Sequence, residues 1–259
     1  VHNVALNFHD EMSFFGDVEE HSGTIQIDRV LRSYFPNYDY HGVFFDVGAF
    51  DPITISNSHH FHQKGWTVYA FEANPHRIPL IKQHRQYVYN YAIADTDLDA
   101  VTFHNVAPSH SPAWTAGYSA INISEKYKEI FGWNDQFIVE KVTVPQRTLK
   151  TVIETEIKSL QKIDIMSLDI EGGELAALKG LDLTKYPPSL ITVENPDDDP
   201  DLKSYLLNVG YRLDHFTSRN QYYVHSSFVK EGPPFPPGGC TYPHTPLTSS
   251  YDDCITPYE

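Results

Sequence analysis

The stretch Val43-Phe44-Phe45-Asp46-Val47-Gly48-Ala49-Phe50-Asp51 decides the fold. Its first five residues are a short apolar run suited to a strand buried on both faces. Gly48 to Pro52 form a turn, and the glycine lets a ligand approach the backbone closely. Upstream, Ile27, Val30, Leu31 and Tyr34 recur along one helical face, and Pro36 ends that helix. Downstream, residues 54–64 read as a helix that stops at Gly65, and Thr67 to Phe71 as a second buried strand closed by Glu72. Residues 76–84 follow as a helix and 87–94 as a third strand. This alternation predicts a parallel α/β sheet with right-handed crossovers.

The pattern resumes further on. Ile163 to Leu168 is a fourth strand, Glu174 to Leu181 a helix with Leu175, Leu178 and Leu181 on one face, and Leu190 to Val193 a fifth strand. Leu213–Phe216 and Gln221–His225 suit a closing hairpin around Ser218-Arg219-Asn220. The intervening residues 104–140 read as irregular, aromatic and laid over the sheet edge. Residues 1–20 read as an arm, 21–230 as one α/β domain, and 231–259 as a Pro- and Gly-rich tail without a core.

The 259 residues suit one such domain with decorations. A formal charge of −15 repels phosphate backbones, so nucleic acid is not expected as a partner. No apolar run is long enough to span a membrane, and no signal peptide is visible at Val1-His2-Asn3, which sets the expectation of a cytoplasmic protein. The two cysteines, Cys240 and Cys254, lie in the tail. They are expected as free thiols, with pairing across a short loop as the alternative.

Four groups of residues carry chemistry. In the turn Asp46-Val47-Gly48-Ala49-Phe50-Asp51, Phe50 and Ile53 stand where a dinucleotide fingerprint has its second and third glycines. Such a turn cradles a pyrophosphate poorly, and a ligand with an ammonium, a carboxylate and a sulfonium fits it better. Glu72, at the end of the second strand, is placed to accept hydrogen bonds from both hydroxyls of a ribose. Asp169, Glu171 and Glu174 follow the fourth strand, where ligands of open α/β sheets bind. Glu174 suits a helix N-terminus, whereas packing explains Asp169 and Glu171 less easily. Glu194 and Asn195 end the fifth strand, beside Asp169 if the two strands are neighbours. Asp169, Glu194 and Asn195 then make an all-oxygen set suited to Mg²⁺ or another divalent cation. Asp197-Asp198-Asp199 reads as a solvated loop. His59, His60 and His62 read as polar helix surface or a substrate contact, and Trp114, Tyr118, Phe131 and Trp133 as a lid or a platform for a sugar ring.

At these residues the chain resembles the FkbM family of S-adenosylmethionine (SAM)-dependent methyltransferases, from about Ser22 to His225. The resemblance rests on Gln26-Ile27-Asp28, Val43 to Ala49, Ser56-Asn57, Gly65-Trp66, Phe71-Glu72-Ala73-Asn74-Pro75, Leu168 to Glu174 with Leu178-Lys179-Gly180, and Val193-Glu194-Asn195, in order and spacing. It implies a Rossmann-like class I methyltransferase fold, a seven-stranded, mostly parallel sheet with one antiparallel strand and helices on both faces. It also implies O-methylation of a sugar or polyketide hydroxyl. Carried over, Asp46, Gly48 and Asp51 lie along the methionine part of SAM, and Ala49, Phe50, Ser56 and Asn57 are also expected to bind the cofactor. Glu72 takes the ribose, flanked by Ala73 and Asn74. Ala92 to Asp95 lie near the adenine, and Ser119 matches the family's serine in the central loop. Asp169 contacts both cofactor and acceptor. Two departures stand out: Pro52 follows Asp51, which removes a backbone donor from the turn, and Pro196 follows Asn195.

The leading expectation is methyl transfer from SAM to a hydroxyl of a glycan, with Asp169, Glu171 and Glu194 as catalytic acids. They act either as a general base or by holding a cation that binds the acceptor oxygen. The alternatives are a polyketide or other small-molecule hydroxyl as acceptor, and a non-catalytic SAM-binding module of a larger protein. Oligomeric state is not legible in the sequence.

Overall fold

The computed structural model describes residues 14–16, 18–19, 25–108, 119–121, 137–217 and 219–229. Two short strands, β1 (Val18–Glu19) and β2 (Ile25–Gln26), pair antiparallel ahead of α1 (Ile27–Tyr34). There follow β3 (Val43–Val47), α2 (His59–Gln63), β4 (Thr67–Phe71), α3 (Ile78–His84), β5 (Tyr87–Tyr89), β6 (Ala92–Ile93), β7 (Leu98–Pro108) and β8 (Phe137–Arg147). The chain closes with α4 (Leu149–Thr155), β9 (Ile165–Leu168), α5 (Glu174–Lys179), β10 (Leu190–Glu194), α6 (Pro200–Asn208), β11 (Tyr211–Phe216) and β12 (Asn220–His225).

Seven strands form one sheet in the order β11-β12-β10-β9-β3-β4-β5. β10, β9, β3, β4 and β5 run parallel, and β12 is antiparallel to both its neighbours. The strands predicted at 43–47, 67–71, 163–168 and 190–193 and the closing hairpin are thus present, and the fold is α/β with a mostly parallel sheet. Alternate residues of each strand feed two different clusters, as a pleated strand requires. Phe45, Val47, Phe71, Met166, Leu168, Ile191 and Val193 pack with Leu149, Val152, Leu178, Leu202 and Leu206. Phe44, Val68, Ile165, Leu190, Tyr222 and Val224 pack with Leu31, Tyr34, Phe61 and Trp66.

Register fixes the functional edge. Val47 lies opposite Phe71 on one side and Leu168 on the other, and Leu168 lies opposite Val193. The next residue on each strand path is Gly48, Glu72, Asp169 and Glu194, so these four come to one edge. Gly48 has φ +90, and a Cβ there would stand 1.7 Å from the Asp169 carbonyl oxygen. Only glycine lets β3 turn this close to β9.

Several expectations need correction. Residues 87–94 are not one strand. The chain leaves the main sheet at Asn90, whose Nδ2 donates to the carbonyls of Glu72 and Ala73, and β6 joins a second sheet, β6-β8-β7. The span 104–140 is not irregular where it is described: β7 and β8 form a long antiparallel ladder from Leu98↔Gln146 to Pro108↔Phe137. The helix expected at 54–64 is confined to His59–Gln63, because Ile55 adopts φ +53 and breaks the helical path before it. Two helices have no counterpart in the sequence reading. α4 is capped by Thr148, whose hydroxyl accepts from the Thr151 N–H, and α6 by Asp199 ahead of Pro200. His59 and His60 are buried rather than surface residues: the His60 ring stacks on Phe14 at 4.0 Å, and His59 Nδ1 lies 3.2 Å from the Pro52 carbonyl. Asp197-Asp198-Asp199 is a worked loop, with Asp198 accepting from Gln221 Nε2 at 2.7 Å.

Of the expected arm, Phe14 to Gly16 is described. Its Phe15 and Gly16 N–H groups donate to the buried Asp28 carboxylate at 2.8 and 3.0 Å. The tail with Cys240 and Cys254, the aromatics Trp114, Tyr118, Phe131 and Trp133, and the hairpin residue Ser218 lie outside the described residues. Among the described residues no helix is long and apolar enough to cross a membrane.

Candidate active site

A cavity of about 300 Å³ opens at the functional edge. Gly48 and Phe50 line it from the β3 turn, Glu72, Ala73 and Asn74 from the end of β4, and Asp169 to Gly173 from the turn after β9. Tyr91 to Asp95 line its far end, the second sheet contributes Phe103 and Gln146, and Ser119 and Ile121 add to the wall from beside it.

Glu72 is buried, and each of its carboxylate oxygens accepts one backbone N–H. Phe50 donates to Oε2 at 2.8 Å and Asn74 to Oε1 at 2.7 Å. Burial pushes its pKa up, the two N–H groups and Arg77 oppose the rise, and Asp46 adds to it. Phe50 itself adopts φ +39, a left-handed conformation uncommon outside glycine. The Arg77 guanidinium lies over the Phe50 ring, 4.0 Å from its centroid.

Asn74 ties this edge to the second sheet. Its Oδ1 accepts from the His76 N–H at 3.0 Å, and its Nδ2 donates to Asn105 Oδ1 at 2.7 Å. Asn105 in turn donates to Glu140, which also meets His76 Nε2 at 2.9 Å. Ser119 Oγ accepts the Val106 N–H at 3.0 Å, which sets that hydroxyl on the cavity wall.

Asp169 and Glu171 line the cavity, and Glu194, which does not, stands next to them. One carboxylate oxygen from each of Asp169, Glu171 and Glu194 lies within 4.8 Å of the others. The Glu194 carboxyl is held well above the ordinary carboxylate range, first by burial, then by Asp169 and Glu171; Arg219, 3.7 Å away, works against the rise. Glu171 sits at φ +61 and Gly172 at φ +101, a sharp turn that aims the acids at the cavity edge. Glu174 braces that turn. Its Oε1 accepts from the Ile170 and Gly172 N–H groups, both at 3.1 Å, and burial raises its pKa to about 7.

Of the residues expected at a cofactor site, the structure brings Gly48, Phe50, Glu72, Ala73, Asn74, Ala92, Asp95, Ser119 and Asp169 to the cavity wall. Five others stand elsewhere. Asp46 is buried behind the turn, where it accepts from Ser58 Oγ at 2.5 Å under the influence of Arg85. Ala49 packs with Ala70 and Ile81. Asp51 Oδ1 accepts from the Ile53 and Thr54 N–H groups and so shapes its own loop. Ser56 lies 3.5 Å from Arg85, and Asn57 donates to Ser167 Oγ at 3.2 Å. The proposed metal set also changes: Glu171 joins Asp169 and Glu194, while Asn195 is bound to Gln221 Oε1 and the Asp199 N–H. Sequence reasoning missed Arg85, whose guanidinium donates to the Pro52 carbonyl at 2.6 Å and locks the loop behind the site. It also missed Arg77 and Gln146, since an isolated basic or amide residue carries no periodic signal.

Compared with known families, residues 46–213 match the methyltransferase FkbM domain. Among solved structures, methyltransferase FkbM from Methylobacillus flagellatus KT is similar at 16% identity, with a TM-score of 0.43 over 75% of this chain and 47% of that one. The chain thus spans about half the length of that relative. No curated protein matches.

Proposed function

The chain belongs to the FkbM methyltransferase family, and from that premise we propose that it moves a methyl group from SAM to a hydroxyl oxygen of a sugar or glycan. The observation that carries the reading is one cavity bordered by two unlike sets of carboxylates: Glu72, held by two backbone donors, and the Asp169–Glu171–Glu194 cluster. In this reading residues 21–230 are the methyltransferase domain, and the two apolar clusters support a Rossmann-like arrangement with helices on both faces of the sheet.

When bound, SAM supplies a methyl group activated on a sulfonium. Each Glu72 oxygen keeps acceptor capacity beyond its backbone bond, which suits the two hydroxyls of a ribose. Gly48 and Phe50 bound the methionine side, and Ala92 to Asp95 the adenine side. A sugar hydroxyl is a weak nucleophile at neutral pH and needs a proton acceptor. Asp169 lines the cavity and stands beside Glu171 and Glu194, so it is the base, and its two neighbours share the proton it gains. The close approach of the three oxygens favours a second use, binding of a divalent cation that lowers the pKa of the acceptor hydroxyl.

A screen with methyl-labelled SAM against monosaccharides and short glycans tests the reading. Transfer to a sugar hydroxyl, abolished in Asp169→Ala with folding intact, is the expected result. Unchanged turnover in Asp169→Ala sinks both uses of the cluster, and full activity in excess EDTA sinks the cation.

A further inference from the structure

We propose that Arg77 is a positioning residue for Glu72: seated over the Phe50 ring, it steadies the turn after β3 whose Phe50 N–H donates to the buried acid. The inference rests on the reading that Glu72 binds the ribose of SAM.

Phe50 lacks the freedom of glycine, yet it holds a φ of +39 in the same turn where its N–H donates to Glu72 Oε2 at 2.8 Å. A residue in that region persists where its surroundings fix it. Phe50 lines the cavity, and its ring meets the Arg77 guanidinium. A planar guanidinium 4.0 Å from a ring centroid is a cation–π contact that an ammonium reproduces only in part.

Arg77 is itself fixed. Its N–H donates to the Asn74 carbonyl at 3.1 Å, and its own carbonyl accepts from Leu80 and Ile81 at the start of α3. The same turn, 72–77, therefore carries the ribose acid, the Asn74 N–H that holds its other oxygen, and the arginine that steadies the opposing turn. Among the charged groups that act on Glu72 are Arg77, which favours the carboxylate, and Asp46 in β3, which opposes it and is held by Ser58 near Arg85. Loss of Arg77 leaves only the two backbone N–H groups to oppose burial and Asp46.

The test titrates the full chain and its R77M and R77K variants with S-adenosylhomocysteine between pH 5 and 8.5. R77M is expected to bind about tenfold more weakly at pH 7.5. The acid limb of its affinity profile should move to higher pH, because losing an opposite charge raises a carboxyl pKa. R77K should restore the acid limb and recover part of the affinity. If R77M does not fold, R77K still decides, since loss of affinity with an unmoved acid limb is expected of it. R77M or R77K matching the parent in affinity at every pH overturns the role of Arg77 while leaving the function intact. A parent chain that binds neither SAM nor its product overturns both.

Discussion

Replacing Glu72 by Gln tests the nucleoside half of the site with almost no change in shape. Both oxygens of Glu72 face backbone N–H groups, at 2.8 Å from Phe50 and 2.7 Å from Asn74. Gln has one acceptor and one donor, so one N–H meets an NH₂ group and loses its partner. An orphaned buried donor costs about 1–3 kcal/mol. Set against this is relief of a buried charge, since burial is the leading cause of the raised Glu72 pKa. The net change in stability should therefore be small. Binding has no such compensation. Hydrogen bonds to a charged group contribute about 1.5–3 kcal/mol and neutral ones about 0.5–1.5. Two ribose hydroxyls then lose about 2–3 kcal/mol together, a weakening of roughly 30- to 150-fold.

Calorimetric titration with S-adenosylhomocysteine at pH 8 reads this directly, and a second titration at pH 5 checks its origin. Burial raises the Glu72 pKa, so acidification neutralises the parent's carboxyl early and its affinity falls, whereas the variant has nothing there to titrate. The gap between the two should narrow at pH 5. If E72Q binds within threefold of the parent at pH 8, Glu72 does not hold the ribose and the cavity has been read in the wrong orientation.

Two further outcomes follow from the same edge. Gly48→Ala sets a Cβ 1.7 Å from the Asp169 carbonyl at a φ of +90, so β3 and β9 must part. Urea unfolding should show a loss of about 3 kcal/mol or more, and a loss below about 1 kcal/mol means the edge is more plastic than its register implies. Glu174 has a folded pKa of about 7 against an ordinary 4.5, so the folded chain binds the extra proton and Glu174's contribution falls as pH rises from about 4.5 to 7. Glu174→Gln keeps an acceptor for Ile170 and Gly172 and removes the charge. It should gain up to about 3 kcal/mol on the parent at pH 8 and nothing at pH 4.5, and a pH-independent difference in unfolding free energy contradicts this.

How much of this was legible depended on what each residue had to satisfy. β3, β4, β9 and β10 were readable because strands buried on both faces must be continuously apolar, as Phe44-Phe45 and Leu190-Ile191 are. The turns after them were readable because ligand chemistry needs charges where packing does not. β7 and β8 lacked both signals. Val139, Glu140 and Lys141 are exposed in succession, and only Val142, Val144 and Gln146 turn inward together, so the period of two is short and mixed with polar residues. β6 is two residues long and pairs in parallel with a strand over 50 positions away, which no local pattern announces.

Asp46 and Glu72 show where motif reading stops. Both are acids beside the same glycine turn, and the sequence assigns both to the cofactor. The pleat separates them. Asp46 is an internal residue of β3, paired between Ala70 and Ser167, and its side chain points to Ser58 behind the turn. Glu72 stands one residue past the end of β4, where the chain is free to aim it at the cavity. Glu194 then contrasts with Glu72 by its neighbours. Both are buried acids with raised pKa values, but Glu72 is offset by two N–H donors and Arg77, and Glu194 is pushed further by Asp169 and Glu171. A carboxyl supported by donors is held nearer to its charged form and serves as a fixed acceptor. One crowded by other acids takes up a proton readily, which is what an adjacent base needs from its surroundings. The division of labour proposed for the site follows from those neighbours, although both residues are glutamates at the ends of parallel strands.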